Sequence, residues 1–287
     1  MRDLSNDLRL LSINWACVRE CMSHVQLCEA LARAGVGGIS PWREPVREIG
    51  VKAATKAIKA AGLTVTGYCR AGMFSNQGRA GFKAALDDNR RAVDEAAELG
   101  ARCLVMVAGG LMPGSRDLPA ARALAAEGVA ELLPYARKTG VPLAIEPLHP
   151  MTAADRCTMS TLGQANDLCE ALDADGPDGR RGGIGVAIDV YHVWWDPDLA
   201  AQIARAGRNK HILAFHVCDW LVPTTDLLFD RGMMGDGVID IRAIRSMVEA
   251  AGYTGLCEAE IFSRDNWWKR PGEEVIATCI ERFRTVV

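Results

Sequence analysis

The chain has 287 residues, of which 49% are hydrophobic and 24% charged, as is usual for a globular protein with a sizeable core. Its formal net charge of −3 lacks the basic surplus that nucleic-acid binding proteins carry, so we expect no nucleic-acid partner. No apolar run is long enough to span a bilayer, and the polar N-terminal stretch has no apolar signal core. We therefore expect a cytoplasmic protein without a membrane partner.

Ten cysteines are scattered along the chain, and no two of them form a CxxC pair. A disulfide scaffold concentrates its cysteines in a small chain, and a thiolate zinc site shows closely spaced pairs. The spacing therefore predicts reduced cysteines, most of them buried as small apolar side chains.

Eight short apolar runs alternate with longer amphipathic stretches, of which residues Asp87–Leu99 and Leu118–Lys138 show the clearest helical spacing. Several runs are continuously apolar, which favours strands of a parallel sheet that is covered on both faces. Eight such units without a linker predict a single-domain (β/α)₈ TIM barrel over residues 1–287. No GxGxxG turn follows a strand, which argues against an open dinucleotide-binding sheet. In chain order, the predicted strands are Leu10–Trp15, Val36–Ser40, Thr64–Cys69, Cys103–Ala108, Pro142–Glu146, Ile184–Asp189, Ile212–His216 and Leu256–Ile261.

Potential metal ligands stand at the ends of the last four predicted strands, namely Glu146, Asp189, His216 and Glu260. The carboxyl ends of barrel strands form the face that carries the active site. Three carboxylates and one imidazole suit Mn²⁺, Mg²⁺ or Co²⁺ better than a closed tetrahedral zinc site. Glu258 points to the same face as Glu260 but one layer deeper, so we expect it to need a buried partner.

Such a site predicts proton transfer next to a carbonyl group. A metal ion held there would bind two adjacent oxygens of a hydroxy-carbonyl substrate and would act as a Lewis acid that polarises the carbonyl and stabilises an enediolate. Glu146 and Glu260 come from strands three apart, so they can face each other across the substrate. We expect one glutamate to remove the proton while the other delivers it.

Five short motifs resemble the sugar phosphate isomerase/epimerase family, the xylose isomerase-like barrels that include ketose 3-epimerases, hydroxypyruvate isomerases and inosose dehydratases. They cover roughly the C-terminal half of the chain. The resemblance implies that Glu146, Asp189, His216 and Glu260 bind the metal and that both glutamates are the acid/base pair. The motifs are IEPLHP (145–150), DVYH (189–192), FHVCD (215–219), GDGVID (235–240) and EAEIF (258–262).

The same resemblance implies that His192 and Arg231 contact the substrate. The connection from Asp219 to Gly235 is longer than in the smaller family members, and we expect it to be a lid or a subunit contact. His149 follows strand five, where it either reaches the substrate or caps the next helix.

Three arginines, Arg43, Arg70 and Arg264, also fall near the predicted rim, where a guanidinium can clamp a phosphate or a carboxylate. The sequence does not choose among them.

These observations predict a metal-dependent isomerase or epimerase of carbohydrate metabolism that acts on a sugar-like small molecule. The alternatives are a dehydratase of inosose or dehydroshikimate type, which needs the same metal and base, and a non-catalytic metabolite-binding barrel. A DNA-repair endonuclease with a trinuclear zinc cluster would require more than the five histidines present. The sequence leaves open whether the chain forms a homo-oligomer.

Overall fold

Nine strand segments lie side by side and form the parallel inner wall of a (β/α)₈ barrel in the computed structural model, which describes residues 2–174 and 182–287. Each short apolar run becomes a buried strand because helices cover the outer face of the sheet. The strands of the barrel are β1 (Leu11–Asn14), β2 (Gly38–Ser40), β3 (Thr64–Val65), β4 (Tyr68–Gly72), β5 (Leu104–Val107), β6 (Leu143–Ile145), β7 (Ile184–Asp189), β8 (Ile212–Val217) and, later in the chain, β11 (Cys257–Ala259).

The predicted barrel is confirmed, with one difference in its third strand. The predicted strand Thr64–Cys69 is two segments, because β3 pairs with β2 whereas β4 pairs with β5. The nine segments therefore fill eight barrel positions. A parallel bridge between Trp42 and Cys69 also links the two sides of this break. Two short strands outside the barrel, β9 (Asp219–Trp220) and β10 (Arg231–Gly232), pair in antiparallel fashion.

The helices lie between the strands and cover them. The helix predicted over Leu118–Lys138 is α5, whereas the one predicted from Asp87 already begins at Gly78. Left-handed glycines end two helices just before a strand, with φ of 73° at Gly35 and 78° at Gly140. The helices are α1 (His24–Ala34), α2 (Arg43–Ile49), α3 (Val51–Ala60), α4 (Gly78–Leu99), α5 (Leu118–Thr139), α6 (Leu162–Ala174), α7 (Val190–Val193), α8 (Leu199–Arg208), α9 (Ile241–Ala250) and α10 (Gly272–Thr285).

Small inward-facing side chains fill the lower part of the barrel. Cys103, Ala144, Ala187 and Ala214 form a buried cluster of their own, separate from the large core between strands and helices. All ten cysteines are free, and all except Cys21 are buried, as predicted. Within the described ranges, no helix combines the length and the apolar character needed to cross a membrane.

Candidate metal site and substrate cavity

Three of the four predicted metal ligands, Glu146, Asp189 and His216, lie two residues beyond small inward-facing side chains of the barrel. Side chains of a strand alternate between its faces, so Glu146 follows Ala144 and Asp189 follows Ala187 on the inner face. The strand register places Asp189 beside His216. Because the layer beneath consists largely of alanines, it leaves room for polar side chains at the carboxyl end of the barrel.

These four residues come together in one buried group, here called the ligand group because its members are the candidate metal ligands. One potential ligand atom from each of Glu146, Asp189, His216 and Glu260 lies within 4.8 Å of the others. The Nδ1 atom of His216 is 3.0 Å from Oε1 of Glu146 and 3.7 Å from Oε2 of Glu260. Each of the four is at most 6% exposed. The side chains that the sequence predicts to meet therefore do meet.

The electrostatics of this group fit a divalent cation. Burial raises the pKa of the Glu260 carboxyl to about 8; His216 opposes the rise, while the neighbouring Glu146 adds to it. Burial alone would lower the pKa of His216, but the nearby Glu258, Glu146 and Glu260 raise it well above the usual value. Buried carboxylates this close repel one another unless protons or a metal ion balance their charge. Three carboxylates and an imidazole are the donors that such an ion would use.

Glu258 lies one layer below the candidate ligands and has the buried partners that the sequence requires. Its Oε1 accepts a hydrogen bond from Nδ2 of Asn14 at 2.8 Å, and its Oε2 accepts one from Oγ1 of Thr66 at 2.7 Å. Oε1 also lies 3.5 Å from Nε2 of His216, a buried nitrogen that otherwise has no hydrogen-bond partner. Because a metal-binding histidine usually directs its second nitrogen at a carboxylate, Glu258 is placed to orient His216.

Asn14 connects this lower layer with the ligand layer above it. Its Nδ2 atom also donates to Oε1 of Glu260 at 3.0 Å, while its Oδ1 accepts a 2.6 Å hydrogen bond from the Trp42 indole. Sequence reasoning did not single out Asn14 or Thr66. In the structure Asn14 is the last residue of β1, but the predicted strand extends to Trp15, so sequence reasoning did not place Asn14 at a strand end.

Arg231 is buried beside the ligand group. Its Nη1 donates to Oδ2 of Asp189 at 2.8 Å and to Oε2 of Glu260 at 3.3 Å. The guanidinium is 4.4 Å from the ring centroid of Tyr191 and 4.8 Å from that of Phe262. Arg231 belongs to β10, so the long connection after β8 delivers this charge to the site.

His192 is buried next to the same arginine. Its Nε2 is 3.0 Å from Nη2 of Arg231, and its Nδ1 accepts a 3.1 Å hydrogen bond from the backbone N–H of His149. Burial, opposed by Asp189 and assisted by Arg231, lowers the pKa of His192 to about 3. His192 is therefore neutral near pH 7, which suits a side chain that contacts substrate oxygens.

The side chain of His149 caps a turn. Its Nδ1 accepts a hydrogen bond from the N–H of Met151, and its ring stacks on Trp220 at 4.7 Å between centroids. Of the two roles that the sequence allows, the geometry shows the cap, and the backbone of His149 holds His192.

A cavity of about 170 Å³ opens above the ligand group. Trp42 and Phe262 form an apolar part of its wall. The loop after β9 contributes three more apolar side chains to this wall, those of Leu227, Leu228 and Phe229. The loop expected to be a lid or a subunit contact thus forms part of the cavity wall. Arginines, acids and apolar groups complete the lining: Arg19, Glu44, Cys69, Arg70, Val105, Val107, Glu146, Leu148, Thr152, Arg156, His192, Arg231 and Glu260.

Asp219 anchors both ends of the connection from Asp219 to Gly235. Its buried carboxylate accepts hydrogen bonds from the backbone N–H groups of Trp220, Gly235 and Ile239 at 2.9–3.0 Å. At Gly237 a side chain would clash, because a Cβ there would lie 2.2 Å from the carbonyl oxygen of Trp220.

Two of the three rim arginines are engaged in ion pairs. Arg43 binds Asp88 at 2.8 Å and Glu95 at 3.2 Å, and the half-exposed Arg264 binds Asp226 at 3.2 Å. Arg70 is the one that lines the cavity. Arg156 lines it too, and no sequence pattern had pointed to that residue.

Two of the five histidines lie away from the candidate site. His24 is in α1, where its Nε2 is 3.7 Å from the Cys28 sulfur, and His211 precedes β8 and contacts Asp173 at 3.4 Å. The site thus gathers few of the histidines that a trinuclear zinc cluster would need.

Comparisons with known proteins bear out the resemblance seen in the motifs. A family model described as a xylose isomerase-like TIM barrel matches residues 28–286. An inosose isomerase of Halalkalibacterium halodurans is 28% identical over 160 residues, which are 55% of this chain and 52% of that protein. The chain thus spans about half the length of that curated relative.

Two solved structures share the whole fold. A Sinorhizobium meliloti protein superposes with a TM-score of 0.93 at 59% identity, covering 97% of this chain and 98% of the other. The IOLI protein, solved with a bound zinc atom, superposes with a TM-score of 0.80 at 19% identity, covering 96% and 97%. At that lower identity the likeness concerns the fold alone.

Proposed function

Because this chain belongs to the xylose isomerase-like TIM-barrel family, we propose that it is a divalent-metal-dependent isomerase or epimerase of a sugar-like hydroxy-carbonyl compound. The observation that carries the proposal is the buried group of Glu146, Asp189, His216 and Glu260 beneath a cavity of small-molecule size. The inosose isomerase relative and the family support the same class of reaction.

Glu146, Asp189, His216 and Glu260 would hold the ion, with Mn²⁺, Mg²⁺ and Co²⁺ as the proposed metals. A bound divalent cation supplies a Lewis acid for the substrate carbonyl. The zinc in IOLI makes Zn²⁺ a metal to test beside these three.

Glu146 and Glu260 are the proposed acid/base pair. Both carboxylates approach Nδ1 of His216, one at 3.0 Å and the other at 3.7 Å, so they lie close to one point at the cavity floor. One carboxylate removes the proton next to the carbonyl, and the other returns a proton to the neighbouring carbon or to the opposite face. Asn14, which donates to Glu260, fixes the orientation of that carboxylate.

His192 and Arg231 are proposed to bind substrate oxygens. Both line the cavity, and both are held by buried contacts rather than by mobile surface groups. The walls that Trp42, Phe262 and Phe229 provide exclude water, which strengthens the hydrogen bonds made within the cavity.

The test combines metal analysis with isotope exchange. The metal content of the purified protein is measured, and a panel of ketoses, ketose phosphates and inosose is incubated with the metal-loaded protein in deuterated water. Deuterium should enter the carbon next to the carbonyl, and Glu146→Gln and Glu260→Gln should abolish this exchange.

Glu249→Gln is the matched control, because Glu249 is a largely buried glutamate that pairs with Arg2 and Arg245 away from the cavity. This variant should exchange deuterium as the wild type does. Product analysis separates isomerisation from the dehydratase alternative. Exchange that persists in both site variants, or a protein with neither metal nor exchange on any substrate, would overturn the proposal.

A further inference from the structure

Arg70 is a cavity-lining cation without a protein partner in the described part of the chain. It is on β4 and partly buried, yet it makes no hydrogen bond or ion pair with any described residue. Burial, and next the positive charge of Arg156, lower the pKa of its guanidinium. Because its guanidinium donors have no protein acceptor among the described residues, they are available to a ligand that supplies one.

Arg156 brings a second positive charge to the same cavity. It follows β6 in the chain, and its only ion pair is a 3.6 Å contact with the exposed Asp155 among the described residues. Exposed pairs of this length contribute little stability. The acid on this side of the cavity is the exposed Glu44, whose carboxylate forms no ion pair with either arginine in the structure as described.

The other cavity arginines are already engaged. Arg231 binds Asp189 and Glu260, and Arg19 packs its guanidinium 5.5 Å from the Trp15 ring and 5.3 Å from the Trp268 ring. Among the described residues, the cavity arginines with neither a buried acidic partner nor a cation–π contact are therefore Arg70 and Arg156.

The topology places Arg70 across the barrel from His216. Arg70 stands on the third barrel strand, and His216 stands on the seventh, which is opposite in an eight-stranded barrel. A substrate bound by its oxygens near His216 would therefore extend across the cavity toward Arg70.

We infer that Arg70 and Arg156 bind an oxyanion, a phosphate ester or a carboxylate, on the end of the substrate that lies away from the metal site. The inference rests on the proposed function for the rest of the substrate. It assigns the substrate to the anionic hydroxy-carbonyl compounds rather than to neutral sugars. Arginine forms paired hydrogen bonds with both phosphates and carboxylates. Because these hydrogen bonds are strong, Arg70 and Arg156 would determine which substrates the protein prefers.

The first experiment measures binding of inorganic phosphate to the metal-loaded protein by titration calorimetry, which requires no turnover. Arg70→Gln and Arg156→Gln should each weaken phosphate binding by about ten- to a hundredfold, since each removes a charge-assisted hydrogen-bond donor group. Arg70→Lys keeps the charge but not the paired geometry and should fall between. Arg264→Gln, a change at a rim arginine that is paired with Asp226, should bind phosphate as the wild type does.

The second experiment compares deuterium exchange on three related substrates: a ketose phosphate, a keto sugar acid that carries a carboxylate, and the matching neutral ketose. The anionic substrates should have a KM at least about tenfold below that of the neutral one; Arg70→Gln should remove this difference, whereas Arg264→Gln should keep it. The anion with the lower KM identifies the phosphate or the carboxylate as the natural group.

The outcomes separate the two proposals. Exchange on neutral and anionic substrates with equal KM, unchanged in Arg70→Gln, would overturn the oxyanion site and leave the isomerase proposal standing. Phosphate binding that is equal in the wild type and in both glutamine variants would overturn it as well. Phosphate binding that depends on both arginines, without exchange on any substrate, would support the oxyanion site and count against the isomerase proposal.

Discussion

Replacing Glu258 with glutamine should weaken metal binding without destabilising the metal-free protein. The carboxylate is 1% exposed and lies 3.5 Å from Nε2 of His216, so its negative charge orients the imidazole and raises its affinity for a cation. Glutamine fits the same volume. Its amide oxygen can accept from Asn14, and its amide nitrogen can donate to Thr66, whose hydroxyl is able to reverse its role.

The magnitude follows from the loss of one orienting carboxylate. Changes to such partners of metal ligands reduce metal affinity by about 10–100-fold, or about 1.4–2.8 kcal/mol. Folding of the metal-free protein should change little, because the repulsion with Glu260 that the substitution relieves offsets the pairing with His216 that it removes. Metal affinity and metal-free stability should therefore not fall together.

Metal titration by calorimetry and urea unfolding of the metal-free protein measure the two quantities. Glu260→Gln, which changes a proposed ligand, should weaken binding more than Glu258→Gln does. Glu249→Gln should lower stability through its broken ion pairs and leave metal affinity unchanged. An unchanged metal dissociation constant for Glu258→Gln, or a loss in proportion to lost stability, would refute the role assigned to Glu258.

Three further outcomes are expected. Because burial raises the pKa of Glu260 to about 8, its carboxyl is protonated at neutral pH in the metal-free protein. Metal affinity should therefore rise as the pH increases toward about 8. Calorimetry in buffers of different ionisation enthalpy should show that metal binding releases a proton. Asp219→Asn should lower the free energy of unfolding in urea by about 1–3 kcal/mol. The amide nitrogen of asparagine would replace a carboxylate oxygen that now accepts a hydrogen bond from a backbone N–H, so two donors would face each other. Gly128→Ala should cost about 1–3 kcal/mol, because its Cβ would lie 2.3 Å from the Phe74 ring.

Each of these expectations can be contradicted, and the two stability predictions have a control variant. Equal metal affinity at pH 6 and at pH 8 would contradict the first expectation. Asp240→Asn changes a single helix-capping bond on the surface, so it should cost less than Asp219→Asn. Gly163→Ala places its Cβ no closer than 3.4 Å to Gln202 and should be tolerated in α6. Equal losses in the two glycine variants would show that the Phe74 contact is not the cause.

The sequence was sufficient to predict the barrel and the meeting of Glu146, Asp189, His216 and Glu260 at one end of it. Continuous apolar runs become parallel strands, and their last polar residues must then share one face, which is why Asp189 and His216 could be assigned to the same site. The split of the third strand was not predictable in this way. It depends on which neighbours β3 and β4 pair with, and pairing is a property of the assembled sheet.

The cavity wall was harder to predict than the floor. Arg43, Arg70 and Arg264 look alike in the sequence, and they differ only in whether acids such as Asp88 or Asp226 reach them in three dimensions. The buried role of Arg231 likewise depends on a hairpin whose ends Asp219 fixes. Loop geometry of this kind follows from tertiary contacts rather than from local periodicity.

The two-residue step from Ala144 to Glu146 and from Ala187 to Asp189 has a consequence for insertions and deletions. Removing a single residue within β6 would turn the glutamate outward and bring an apolar side chain to the cavity floor. Loops beyond the ligands carry no such constraint, so they can lengthen or shorten while the floor stays intact. Length variation among homologous barrels should therefore be rare within the strands that carry the ligands. A scan of in-frame single-residue deletions across β6 should show an abrupt loss of metal binding at the strand boundary.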